Sequence, residues 1–104
     1  MRYVLKTQTN MRIHITLGAI ALIAGFVLQL SYGEFLIILV LIAVGLALEA
    51  VNTAIEIVID SVHLGYDEQA KLAKDVASAA MLIFAIVAVF ISCILFIPKV
   101  VALL

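Results

Sequence analysis

Five polar residues interrupt a long apolar stretch in the middle of the chain: Glu49, Asn52, Thr53, Glu56 and Asp60. A helix turns about 100° per residue, so this spacing puts Glu49, Thr53, Glu56 and Asp60 on one face with Asn52 at its flank. The chemistry open to such a stripe is that of oxygen donors. Carboxylates can hold Mg²⁺, which takes oxygen ligands and commonly joins one or two carboxylates to the phosphate oxygens of a substrate. A carboxylate withdrawn from water can instead act as a general base toward a hydroxyl. Helix-to-helix hydrogen bonding alone asks for less than two carboxylates and an amide. Acidic groups in apolar surroundings are functional-site candidates by default.

A second polar cluster lies in Ala70-Lys71-Leu72-Ala73-Lys74-Asp75-Val76-Ala77-Ser78-Ala79-Ala80. Lys71 and Asp75 are four residues apart and pair on a helix surface. Lys74 points elsewhere; directed at the acidic stripe it would bind phosphate as a point charge, and it would serve equally as a membrane-surface anchor. The small residues Ala73, Ala77, Ser78, Ala79 and Ala80 let another backbone come close, which would bring this helix end against the stripe. No Gly-x-x-x-x-Gly-Lys-[Ser/Thr] loop occurs in the chain, so nucleotide chemistry here would proceed without a P-loop. His14 and His63 lack metal-ligand spacing and read as interfacial side chains. The one cysteine, Cys93, excludes an internal disulfide and sits in an apolar run as a packing residue.

The elements that must position these groups are dictated by composition. The chain has 104 residues, 67% of them apolar and 12% charged, with a mean hydropathy of +1.36. A soluble domain this short has too little interior for that much apolar surface, so its solvent is lipid. With one Pro and five Gly, the chain fits long helices and not a β-barrel. A helix needs about 20 mostly apolar residues to cross a bilayer. Three spans meet this, at about 12–30, 35–60 and 71–97, in one domain covering 1–104; the last stops before Pro98-Lys99. The first is longer than the h-region of a cleavable signal and lacks small residues at its end. A net charge of −1 argues against nucleic acid as a partner.

Basic residues orient the spans. Arg2, Lys6, Arg12, Lys71 and Lys74 share one side, leaving only Lys99 on the other, so the N-terminus is expected in the cytoplasm and the C-terminus outside. From Phe35 to Glu49 is about 21 Å of helix. Glu49 is therefore expected in the cytoplasmic third of the hydrocarbon, Glu56 near the headgroups and Asp60 at the water.

The run E-A-V-N-T-A-I-E-I-V-I-D at 49–60, the A-K-D-V-A-S-A-A at 73–80, the upstream N-M-R-I-H at 10–14 and the closing F-I-P-K at 96–99 resemble the small prokaryotic diacylglycerol/undecaprenol kinase family, especially its Gram-positive-type members. The resemblance covers nearly the whole chain. It implies an all-α membrane protein of three transmembrane helices per subunit, assembled as a homotrimeric bundle in the bacterial inner membrane with composite sites at the cytoplasmic surface. It implies transfer of the γ-phosphoryl group of ATP, with Mg²⁺, to undecaprenol or diacylglycerol, undecaprenol being slightly favoured. Carried over by position, Glu49 is the catalytic base and Glu56 binds Mg²⁺ with the nucleotide. Asn52 and Asp60 belong to the same polar site. Lys74 and Asp75 contact phosphates, and Gly65, Tyr66 and Asp67 border the nucleotide. Asn10, Met11, Arg12, Ile13, His14 and Ser78 line the lipid side together with Glu49. Two departures stand out. Gln8 occupies the place of a metal-binding Glu in many relatives, and the amphipathic surface helix with which relatives usually begin has no counterpart here.

Two other classes of function are compatible with the stripe. A small oligomeric proton- or ion-coupled transporter would also keep carboxylates in the membrane, preferably near the midplane and not climbing toward lysines at one surface. A non-catalytic assembly module would tolerate the loss of both Glu49 and Glu56.

Overall fold

The computed structural model describes residues 9–62 and 67–104, with side chains from Met11 onward. Among these, the chain is all helix: α1 (Thr9–Val27), α2 (Tyr32–Val62) and α3 (Glu68–Leu103). Gln8, His63, Gly65 and Tyr66 lie outside the described residues, as does the side chain of Asn10.

Local chemistry sets each helix end. At the end of α1 the Leu30 N–H donates to the Gly25 carbonyl at 3.0 Å and the Gln29 N–H to the Phe26 carbonyl at 3.3 Å, the bond pair of a Schellman closure. Its left-handed residue is Gln29, with φ of 57°. Leu30 folds back over Gly25, where a Cβ would stand 3.0 Å from Leu30 Cδ1 and 3.1 Å from Phe35 Cε1. Residues 28–30 thus form the closure instead of the last turn expected for a span ending at Leu30. α2 opens on a capping box: the Ser31 Oγ accepts from the Glu34 N–H at 3.2 Å, and Glu34 Oε1 accepts from the Ser31 N–H at 2.9 Å. Asp67 caps α3, its Oδ1 accepting from the Gln69 N–H at 3.0 Å.

The expected stop before Pro98 is not observed, because α3 continues through it to Leu103. Proline removes one N–H from the ladder, a loss confined to a single turn. The stretch beyond it is tied to the start of α2, with Lys99 Nζ 3.4 Å from Glu34 Oε1.

α2 packs against both α1 and α3. Near the Glu34–Lys99 end, Leu30, Ile38 and Leu95 form a buried cluster, joined by Phe35, Ile42 and Phe96 among others. Elsewhere the usual polarity is inverted. Leu17, Ile23, Phe26, Leu36, Val40, Leu82, Phe90 and Ile94 are exposed, while Glu49, Asn52 and Thr53 are buried. So much bare apolar surface calls for an apolar solvent. α2 and α3 are each long and apolar enough to cross a membrane, and the apolar part of α1, Met11–Val27, is shorter. α1 falls short of the expected full span because its closing turn takes residues 28–30 out of the helix.

Candidate active site

The stripe on α2 grades from hidden to open. Glu49 is 2% exposed, Asn52 9% and Thr53 1%, Glu56 is half-buried, and the Asp60 side chain is 66% exposed. Asn52 Nδ2 donates to Glu56 Oε1 at 3.2 Å, one turn along. Three buried oxygens of the stripe have no hydrogen-bond partner: Glu49 Oε1, Asn52 Oδ1 and Thr53 Oγ1. Leaving such a group unsatisfied costs about 1–3 kcal/mol. Three in two turns of one helix mark a place shaped for something other than its own packing.

Glu49, Asn52 and Glu56 line a cavity of about 350 Å³ with His14 of α1 and Ser78, Met81, Leu82 and Ala85 of α3. His14 Nε2 stands 4.0 Å from Glu49 Oε2, beyond hydrogen-bond range. The His14 ring lies 6.2 Å from that of Phe84. Both crowd the bare Cα of Gly45, where a Cβ would meet Phe84 Cζ at 2.8 Å and His14 Nδ1 at 3.3 Å. Gly45 is one turn before Glu49 on the same face, so its missing side chain makes room for the cavity wall. A second, mostly apolar groove of about 500 Å³ runs between α1 and α3 over α2, from His14 toward Ile38 and Phe96, and shares His14 and Ala85 with the polar cavity.

At the open end of the stripe, Lys74 Nζ donates to Asp60 Oδ1 at 2.6 Å. The lysine of α3 does therefore face the acidic stripe. Lys71 donates to Asp75 at 2.8 Å along the same helix.

Mg²⁺ suits part of this donor set. The Glu56 carboxylate and the orphaned amide oxygen of Asn52 belong to residues lining one cavity, and both are hard oxygen donors. Among the described residues no three His, Cys, Asp or Glu side chains converge as a metal cage. An ion held here would draw its remaining ligands from phosphate oxygens and water, the habit of Mg²⁺ at nucleotide sites.

The structure brings Glu49, Asn52, Glu56, His14 and Ser78 around one cavity, with Asp60 and Lys74 paired farther along. It does not bring Met11 or Ile13 there: Met11 is fully buried and Ile13 is exposed. Arg12 is exposed, and Asp67 serves as the α3 cap. Gly65, Tyr66 and Gln8 fall outside the described residues. Met81, Leu82 and Ala85 were not anticipated, although they follow Ser78 by three, four and seven residues, the spacing of one helix face. Gly45 was missed in the same way.

The prokaryotic diacylglycerol kinase family model matches residues 1–96. The chain is 37% identical over 94 residues to an undecaprenol kinase of Bacillus subtilis (strain 168), a match covering 90% of this chain and 76% of that protein. It is 36% identical over 103 residues to a diacylglycerol kinase of Synechocystis sp., covering 98% of this chain and 59% of that protein. With its acidic stripe, polar cavity and apolar exterior, the chain belongs to the prokaryotic diacylglycerol kinase family of lipid kinases.

Proposed function

We propose that the chain transfers the γ-phosphoryl group of MgATP to the hydroxyl of a membrane lipid, undecaprenol in preference to diacylglycerol. The observation that carries this reading is Glu49: a carboxylate 2% exposed, with one oxygen unpartnered, on the wall of a polar cavity. The groove that shares His14 and Ala85 with that cavity supports a lipid acceptor. A hydroxyl can enter the polar part while its hydrocarbon follows the apolar part. Undecaprenol is preferred because the B. subtilis relative, matched over the larger share of its own length, is an undecaprenol kinase. Both relatives are kinases, and no observation favours transport.

Phosphoryl transfer needs positioning and charge stabilisation more than covalent help from the protein. Glu49 accepts the hydroxyl proton. Glu56, with Asn52, would hold Mg²⁺, which would supply neutralising charge at the nucleotide phosphates. Lys74 leaves Asp60 for the phosphates, and Asp75 with the 65–67 segment borders the nucleotide. Ser78 and His14, on the cavity wall, face the lipid. The working assembly is a homotrimer with α1 as the third span, its site on the cytoplasmic side of the bacterial inner membrane.

Purified protein given labelled ATP, Mg²⁺ and either lipid in mixed micelles tests reaction and acceptor together. Phosphorylated undecaprenol formed faster than phosphatidate is the expected result. Faster diacylglycerol phosphorylation reverses the acceptor, and absence of both products removes the reading.

A further inference from the structure

We propose that His14 is a proton-accepting residue acting through Glu49, taking the proton that the carboxylate collects from the lipid hydroxyl. This rests on Glu49 being the base in the reading above. A carboxylate 2% exposed has no direct way to pass a proton to water. Each turnover nevertheless leaves one there, and the next cycle needs it gone.

The titratable side chains lining the cavity, among the described residues, are Glu49 and Glu56 from α2 and His14 from α1; α3 offers only Ser78, Met81, Leu82 and Ala85. Cys93 lies along the groove and not on the cavity wall. Glu56 is engaged by Asn52. His14 Nε2 is 4.0 Å from Glu49 Oε2, a gap that a small side-chain rotation or one water closes. The His14 side chain is 25% exposed against 2% for Glu49, so it is the more open of the two. Its ring is held in place by Phe84 and by the empty space at Gly45.

The step balances as follows. The lipid O–H bond breaks and its oxygen bonds to the γ-phosphorus. The bond from that phosphorus to the bridging oxygen breaks, and its electron pair leaves with ADP. The proton passes to Glu49 and then to Nε2 of His14, in the tautomer carrying hydrogen on Nδ1, and on to water. Glu49 returns to carboxylate.

The test is chemical rescue of the full chain in mixed micelles with MgATP and lipid. His14→Ala is expected to lower turnover by about 10- to 100-fold, less than loss of a direct base, while ATP binding stays near the parent value. Added imidazole restores much of the rate; pyrrole, of similar size but not a base, does not. His14→Gln, closer in bulk to the parent, also turns over slowly and keeps the proposal testable should the alanine variant fail to fold. Parent-like turnover by either variant overturns the proposal, as does failure of imidazole to rescue His14→Ala, or equal rescue by pyrrole. Glu49→Gln separates the two readings. If it turns over normally, the base reading fails and takes this one with it. If it is inactive and His14→Ala is not rescued, only the role of His14 falls.

Discussion

Replacing Glu49 with methionine should make the protein more stable and inactive at once. The native carboxylate is almost fully buried, one oxygen has no partner, and the other is 4.0 Å from a histidine nitrogen without a hydrogen bond. An unsatisfied buried polar group costs about 1–3 kcal/mol, and a charge in the membrane interior about 2.5–3.5 kcal/mol on insertion scales. With no hydrogen bond between His14 and either oxygen, little of that is returned. Methionine is close in length and removes both oxygens, so we expect a gain of about 1–3 kcal/mol. Turnover should fall by at least ~100-fold, the lower end of a general base's contribution, or about 2.7 kcal/mol at the barrier. The gain would be read from SDS-induced unfolding in mixed micelles, and the loss from labelled phosphate transfer to lipid. A structural carboxylate behaves oppositely. If Glu49→Met unfolds at lower SDS than the parent, or phosphorylates lipid normally, the reasoning fails.

Three further outcomes are expected. Lys74→Met should weaken ATP, seen as a raised KM, while costing less than about 1 kcal/mol in unfolding, because an exposed ion pair with Asp60 stabilises little. Gly45→Ala should destabilise by about 1–2 kcal/mol and slow turnover, since overpacking of this kind typically costs about 1–3 kcal/mol and the gain in helix propensity offsets at most about 1; SDS titration and the kinase assay check both. Gln29→Gly should raise stability by roughly 1 kcal/mol, because glycine takes the left-handed backbone of the α1 closure without strain, and turnover should be unchanged.

The chain announces its site more clearly than its helix ends. Glu49, Asn52, Thr53 and Glu56 carry a helical period that survives any error of two or three residues in the boundaries, so their common face was legible. The direction of Lys74 was not, since its approach to Asp60 depends on how two helices are aligned across a 14-residue separation. The cavity wall was half legible: Met81, Leu82 and Ala85 have the right spacing but look like any other lipid-facing residues. Ser31-Tyr32-Gly33-Glu34 reads as a turn, yet its first and last residues satisfy the capping-box pattern and start α2. Pro98 reads as a stop, whereas α3 loses a bond there and continues. The closure at Gln29 had no glycine to signal it.

The ion pairs at opposite ends of α2 and α3 have a mechanical consequence. Glu34–Lys99 and Asp60–Lys74 join the same two helices at points about 39 Å apart along α2, with only apolar surface and the stripe between. The continuous helix between them works as a depth gauge. It holds Glu49 about 22.5 Å from Glu34 and about 16.5 Å from Asp60 along its axis. A thicker or thinner bilayer must then tilt or deform around the rod, and the height at which an alcohol headgroup floats past the carboxylate becomes a property of the membrane as much as of the protein.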